Sequence, residues 1–268
     1  MSKKKTCMTV IENRAIAEGI YSMVLVCPEG ESFGAVRPGQ FVGVCCRDGS
    51  RILPRPISIC DFDAEGKLLR LVYRCAGKGT AEFAGWEAGS EAQILGILGN
   101  GYDLSALVGK KVLLIGGGIG APPLLGLAKS LKQADEAAGA GKVTAVLGYR
   151  TNDLFLAEEF RRAAEVIIAT DDGSAGVHGN VIDAIRELSP EFDVICACGP
   201  MPMLRGVKAL AEEKGVKAWI SLEERMACGV GVCLGCVTKT AHKDEHSNVN
   251  NTRICTEGPV FDAEEVLL

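Results

Sequence analysis

The sequence predicts an α+β multidomain protein: an N-terminal antiparallel β-barrel (residues 1–103), a central α/β domain built on a parallel sheet (104–222) and a small C-terminal cysteine-rich domain (223–268). Three observations predict it. Short β-like runs separated by Gly and Pro fill the first hundred positions. Strand-like runs then alternate with helical patterns, which reads as βαβ units. Four cysteines, Cys228, Cys233, Cys236 and Cys255, gather toward the end of the chain.

Length and composition agree. A chain of 268 residues accommodates two domains of about 100–150 residues and an appendage. An apolar content of 47% predicts a packed core. A formal charge of −5, with no basic patch interleaved with aromatics, excludes a nucleic-acid binder. Lys3-Lys4-Lys5 reads as a frayed, solvated terminus. No apolar run approaches the ~20 residues that span a bilayer, and no signal-peptide core follows the basic run, so the expectation is a cytoplasmic protein with no membrane contact. Twelve cysteines without a secretion signal fit a reducing compartment better than a disulfide framework. The eight outside the C-terminal group (Cys7, Cys27, Cys45, Cys46, Cys60, Cys75, Cys196 and Cys198) mostly lie in apolar runs, where buried packing is their plain role.

In the first domain the β-like runs are 20–27, 41–46, 56–60, 68–75 and 92–98, with a turn at Arg37-Pro38-Gly39-Gln40. Runs at that spacing suggest a small antiparallel barrel. Two local features ask for a ligand. Pro54-Arg55-Pro56-Ile57-Ser58 sets a guanidinium and a hydroxyl on a strand stiffened by prolines, and Arg55 has the fork geometry to hold a phosphate. Farther on, a strand ends at Tyr73-Arg74, and Gly77, Gly79 and Thr80 open a helix expected over 81–86, whose N–H groups favour a pyrophosphate. The plain alternative is an ordinary Arg–carboxylate pair beside a helix cap. Taken together, Arg-Pro-x-Ser and Tyr-Arg-x-x-Gly-x-Gly-Thr resemble the FAD site of the ferredoxin–NADP reductase superfamily. The resemblance implies that Arg55, Pro56, Ile57 and Ser58 line the isoalloxazine and phosphates. It places Val72, Tyr73 and Arg74 along the ribityl chain and pyrophosphate, and Gly79 and Thr80 on the phosphates.

In the second domain the expected order is a strand at 111–115, a glycine turn at 116–123, a helix at 124–137 and a strand at 143–149. A helix near 153–164, a strand at 166–169, a helix at 181–188, a strand at 194–197, a helix at 202–214 and a strand at 218–220 follow. Such alternation builds a parallel sheet with its ligand at the carboxyl edge. Gly116, Gly118 and Ala121 fit G-x-G-x-x-A, but the acidic residue expected about 20 positions later on a strand end is missing: Asp135 and Glu136 sit near a helix end. Gly116, Gly118, Gly120 and Pro123 instead resemble the nicotinamide half of the same superfamily. Cys198-Gly199-Pro200 with Met203 is similar to its Cys-Gly-Pro-x-x-Met turn, which implies a passage close to the nicotinamide. Asp171 and Asp172 occupy the strand end where NADP-using members carry Ser and Arg. Carboxylates there repel a 2′-phosphate and accept from a ribose hydroxyl, which favours NADH. A turn cap explains the two Asp residues about as well.

The C-terminal cysteines have the C-x4-C-x2-C spacing, with a distant fourth, of plant-type [2Fe–2S] sites. Interleaved Gly229, Gly231 and Gly235 leave room for backbone N–H groups to approach sulfur. A structural zinc site would pair two C-x2-C units, and only one is present; His242 and His246 keep a mixed Cys/His site conceivable, although both lie in a polar loop. Three modules in series make an electron conduit, with the flavin mediating between the two-electron chemistry of NADH and one-electron transfer at the cluster. No side chain is expected to act as general acid or base.

The whole chain, and closely its stretches 221–226, 228–236 and 258–266, resembles the electron-transfer subunits of type 1B dihydroorotate dehydrogenases. The resemblance implies FAD, one [2Fe–2S] cluster and NAD(H) as co-substrate. It also implies an FMN-containing catalytic partner that interconverts dihydroorotate and orotate, in a heterotetramer of two subunits of each kind. The alternatives are a subunit of an NAD(P)H–ferredoxin oxidoreductase or sulfide dehydrogenase, which shares all three modules, and a non-catalytic flavin and cluster redox sensor. A neighbouring gene for the FMN subunit discriminates the first; NADH oxidation with a dye acceptor discriminates the second.

Overall fold

The structure, a computed structural model, describes residues 4–138, 141–243 and 248–268. β1 (Lys5–Ala17), β2 (Ile20–Val26), β3 (Phe41–Val44), β4 (Arg55–Phe62), β5 (Leu68–Arg74) and β6 (Glu91–Leu98) close into an antiparallel barrel in the order β1-β2-β5-β4-β3-β6. Between β5 and β6 lies α1 (Lys78–Ala84), whose Phe83 is buried in the barrel core with Met8, Leu25, Leu71 and Tyr73. The helix starts three residues before the position expected from sequence. The turn at Arg37–Gln40 forms as read: Gly39 has φ +88°, and Gln40 N–H donates to the Arg37 carbonyl at 3.2 Å.

β1 is the element the hydrophobic pattern did not reveal. Its buried residues alternate only as far as Val10; beyond a register shift between Val10 and Glu12, the polar half pairs with β2 alone. A strand half that buries neither face leaves no period-two signal.

The second domain runs β7 (Lys111–Gly117), α2 (Ala121–Ala138), β8 (Lys142–Tyr149), α3 (Ala157–Arg161), β9 (Glu165–Thr170), β10 (Val177–His178), α4 (Val181–Leu188), β11 (Val194–Cys198), α5 (Met201–Lys214) and β12 (Lys217–Ser221). After it come a short hairpin, β13 (Val237–Lys239) with β14 (Asn251–Arg253), and β15 (Val260–Asp262). The large sheet has the order β10-β9-β8-β7-β11-β12-β15. All pairings are parallel except β12–β15, so the C-terminal segment covers the sheet's edge. Val112 and Leu114 face one core with α2, while Leu113 and Ile115 face the other with α4 and α5. Burial on both faces explains why these strands read as continuous apolar runs. Cys236, Ile254 and Cys255 belong to the second core, so the cysteine segment is packed onto the sheet domain.

Barrel and sheet are clamped together. Arg70 on β5 donates two hydrogen bonds to Glu159 on α3, at 2.6 and 3.0 Å, and Lys129 on α2 pairs with Asp61 on β4. Gly126 lets α2 approach β4 closely, since a Cβ there would lie 2.9 Å from the Cys60 carbonyl oxygen. These contacts hold the β4–β5 side of the barrel against α2 and α3 of the sheet domain.

Candidate functional site

The strand order reverses between β7 and β11, the place where open α/β sheets bind ligands. A groove of about 770 Å³ lies there, within the range of cofactor pockets. It collects Arg74 from the barrel, Gly118 and Gly120 from the glycine turn, Asp171 from the end of β9, and Gly199 and Pro200 from the end of β11. Six residues singled out from sequence, from Arg74 to Pro200, thus line one groove.

The glycines are needed for close approach. A Cβ on Gly120 would lie 2.2 Å from the Cys198 carbonyl oxygen, and one on Gly117 2.7 Å from Met203 Sδ. Gly116 lies buried beneath them, against Ala121. Cys198 is itself buried, and burial pushes its thiol far up, so it is an inert packing group behind Gly120. Asp171 lines the groove, but Asp172 does not: its carboxylate accepts from Ser174 N–H at 3.0 Å and from Ser174 Oγ at 2.6 Å, capping the turn. One of the two carboxylates is therefore presented to a ligand and the other is structural.

On the barrel, Arg55 lies over Gly79, where a Cβ would come within 2.3 Å of Nε. Pro56, Ile57 and Ser58 follow on β4, half-buried. Thr80 Oγ1 accepts from the N–H groups of Ala76 and Gly77 at 2.9 and 3.1 Å, shaping the loop ahead of α1. Val72 and Tyr73 turn their side chains into the cores, and Tyr73 OH donates to Asn13 Oδ1 at 3.3 Å, so what they offer a ligand is backbone. Among the described residues neither Arg55 nor Arg74 forms an ion pair with a carboxylate. Each guanidinium lies beside a glycine, Arg55 over Gly79 and Arg74 near Gly118, a setting that fits an anionic phosphate.

Glu223 is one of several groove residues that sequence reasoning did not assign, with Glu18, Arg150, Asp153 and Asn180. Solvent reaches Glu223, yet protein surrounds it on most sides; burial pushes its carboxyl up, and Arg74 pulls it partly back. Because the folded chain holds this proton more tightly than the unfolded one, the associated stability is present below the ordinary carboxyl range and is lost as pH rises through the folded value. Glu223→Gln is therefore expected to raise Tm by about 1–2 °C at pH 8 and to leave it unchanged at pH 4. Calorimetry at the two pH values checks this; an equal shift at both contradicts it.

The C-terminal cysteines fall as two neighbouring pairs, Cys228 with Cys233 and Cys236 with Cys255, each close enough for one thiol to act on the other. Cys228 Sγ accepts from the N–H groups of Val230, Val232 and Cys233, each at 3.4 Å, and Cys233 Sγ accepts from Gly235 N–H at 3.4 Å. Burial pushes the Cys228 thiol up, but the Val230, Cys233 and Val232 contacts outweigh it and bring it down to about 6, toward the thiolate that binds metal. Burial and then Cys236 push Cys255 up to about 11. Among the described residues no three or more His, Cys, Asp or Glu side chains close around a single metal ion. A binuclear cluster asks for less at each iron: its four thiolates are shared over two metals, as two pairs. His242 is exposed beyond β13, six positions after Cys236, and His246 lies outside the described residues. All twelve cysteines are free of disulfides.

Residues 223–267 match the model of the iron–sulfur cluster binding domain of dihydroorotate dehydrogenase B. The chain is 41% identical, over the whole of both sequences, to the electron transfer subunit of dihydroorotate dehydrogenase B (NAD+) from Shouchella clausii. It is 44% identical to that from Bacillus caldolyticus, covering 97% of this chain and 98% of the other. Among solved structures, a chain of an NADH-dependent reduced ferredoxin–NADP oxidoreductase superimposes with a TM-score of 0.82 at 32% identity, over 97% of this chain and 89% of the other. A ferredoxin–NADP+ reductase from Neisseria gonorrhoeae, 14% identical with a TM-score of 0.64 over 84% of this chain and 95% of the other, shares the fold.

Proposed function

The chain belongs to the family of dihydroorotate dehydrogenase B electron transfer subunits, and from that premise we propose that it carries electrons between a catalytic partner subunit and NAD, by way of a [2Fe–2S] cluster and FAD. The observation that carries the proposal is the pairing of four cysteines on a domain packed against a flavin-reductase fold. When bound, the flavin supplies the exchange between hydride and single-electron chemistry. The chain's own residues bind and orient. Arg55, Gly79 and Thr80, with Pro56, Ile57 and Ser58, hold the flavin on the barrel, and the backbone of Val72 and Tyr73 with Arg74 lines its phosphate side. Gly116, Gly118, Gly120, Cys198, Gly199 and Pro200 shape the nicotinamide seat, and Cys228, Cys233, Cys236 and Cys255 hold the irons. Glu223 lines the groove near Arg74 and balances part of its charge.

The partner is an FMN-containing dihydroorotate dehydrogenase subunit, two of each chain forming the assembly, and the location is cytoplasmic. Exposed Val232 (79%) and Leu234 (63%) flank the exposed Cys233 and support docking beside the cluster. Among the described residues no helix is long and apolar enough to cross a membrane. A ferredoxin-linked reductase subunit is the second reading, favoured by the 0.82 superposition; the higher identity over the full chain supports the first.

Dihydroorotate-dependent NAD reduction by the chain reconstituted with its FMN partner is the expected result. Zinc in place of iron, or a colourless preparation, overturns it. NADH over NADPH is expected to rest on Asp171: Asp171→Ser with Asp172→Arg should lower the ratio of kcat/KM values by about tenfold, the scale of one lost charge contact. Asp171→Ser alone should account for part of that fall, and an unchanged ratio contradicts the assignment.

A further inference from the structure

We propose that Arg253 is a positioning residue for the cluster, orienting the peptide that donates to Cys228 and raising the cluster's electron affinity. This rests on reading the four cysteines as [2Fe–2S] ligands. Arg253 Nη1 donates to the Gly231 carbonyl at 3.0 Å. The same peptide unit carries Val232 N–H, which donates to Cys228 Sγ at 3.4 Å. In a planar trans peptide the C=O and N–H point in opposite directions, so holding the oxygen aims the hydrogen at sulfur. The neighbouring Gly231 N–H contacts Cys255. Gly231 has φ +86°, and a Cβ there would lie 2.7 Å from Thr256 Cγ2, so this geometry requires glycine.

Glu257 fixes the guanidinium from the other side. Its Oε2 accepts from Arg253 Nε and from Arg253 N–H, both at 3.0 Å, and from Thr256 Oγ1 at 2.8 Å. The Glu257 carbonyl in turn accepts from Asn100 Nδ2 at 2.7 Å, which ties the assembly to the barrel just beyond β6. A chain of hydrogen-bonded groups therefore runs from the flavin domain to a cluster sulfur. A cation at the head of a C=O···H–N···S relay stabilises added negative charge on the sulfurs, and hydrogen bonds to sulfur are among the levers on cluster potentials. Glu257 offsets part of that charge. The two residues consequently act with opposite sign.

The test is a potentiometric titration of the full-length holoprotein, followed by the cluster's electron paramagnetic resonance, with iron and sulfide content measured alongside. Arg253→Gln is expected to lower the reduced-to-oxidised ratio at the wild-type midpoint by about tenfold, a fall of about 59 mV for a one-electron couple. Glu257→Gln is expected to shift the midpoint upward, and Arg253→Lys to recover part of the loss. A purely structural role would instead lower iron content or broaden the signal without opposite shifts. If Arg253→Gln fails to retain iron, Glu257→Gln decides, and a midpoint that stays or falls overturns the inference. Wild-type protein with a cluster but unmoved potentials in both variants overturns this inference alone; wild-type protein without iron overturns the cluster reading as well.

Discussion

Cys233→Ser is expected to abolish the cluster's absorbance and its transfer to the catalytic subunit while the protein stays yellow. Cys233 lies on an exposed loop, and among the described residues its sulfur accepts one N–H contact, from Gly235. A serine hydroxyl does not ionise at neutral pH and cannot replace the thiolate, so one iron loses half its protein ligands. Cys236 and Cys255 are buried with Ile254 in the core beside β12, and that packing survives. Electron delivery to the partner should fall by more than about 100-fold, since changes merely next to metal ligands already cost 10–100-fold. NADH oxidation by an artificial two-electron acceptor should persist, because the groove is built from other segments. Loss of both activities together would show that flavin and cluster sites are one cooperative unit.

Gly120→Ala is expected to be among the most damaging single methyls in the described residues, and it falls in the groove itself. The added carbon would meet the Cys198 carbonyl oxygen at 2.2 Å, the carbonyl carbon at 2.5 Å and Gly199 Cα at 2.6 Å. All three are backbone atoms, so no rotamer relieves the clash. The turn after β7 and the end of β11 must separate, and they are the two walls of the groove. Overpacking of this kind costs about 3 kcal/mol, which for a chain of this size lowers Tm by about 6–12 °C. KM for NADH should rise by more than about tenfold with FAD retained. Gly49→Ala is the control: nothing lies within 4 Å of its Cβ position, and Tm should not move. Equal behaviour of the two variants in thermal melts and NADH kinetics would contradict the account.

Much of this architecture was legible in the residue order. The β7 and β11 runs were readable because burial on both faces makes strands continuously apolar, and the cluster loop because three of its four ligands fall within nine residues. Elsewhere the local signal was absent. Half of β1 buries neither face, and three-residue β15 is a strand only because β12 is beside it. Tyr73, placed by resemblance along the flavin, turns its side chain into the barrel core, a packing role the motif alone did not reveal.

By itself the sequence determined the modules, their order and the cysteine set, since periodicity and ligand spacing are properties of neighbours along the chain. Only the tertiary structure decided that Asp171 faces the groove while Asp172 caps a turn, that Glu223 stands near Arg74, and that Arg253 reaches back to Gly231. Apart from the local Asp172 cap, those relations join segments well separated along the chain, and contacts between distant segments leave no periodic trace in either segment alone.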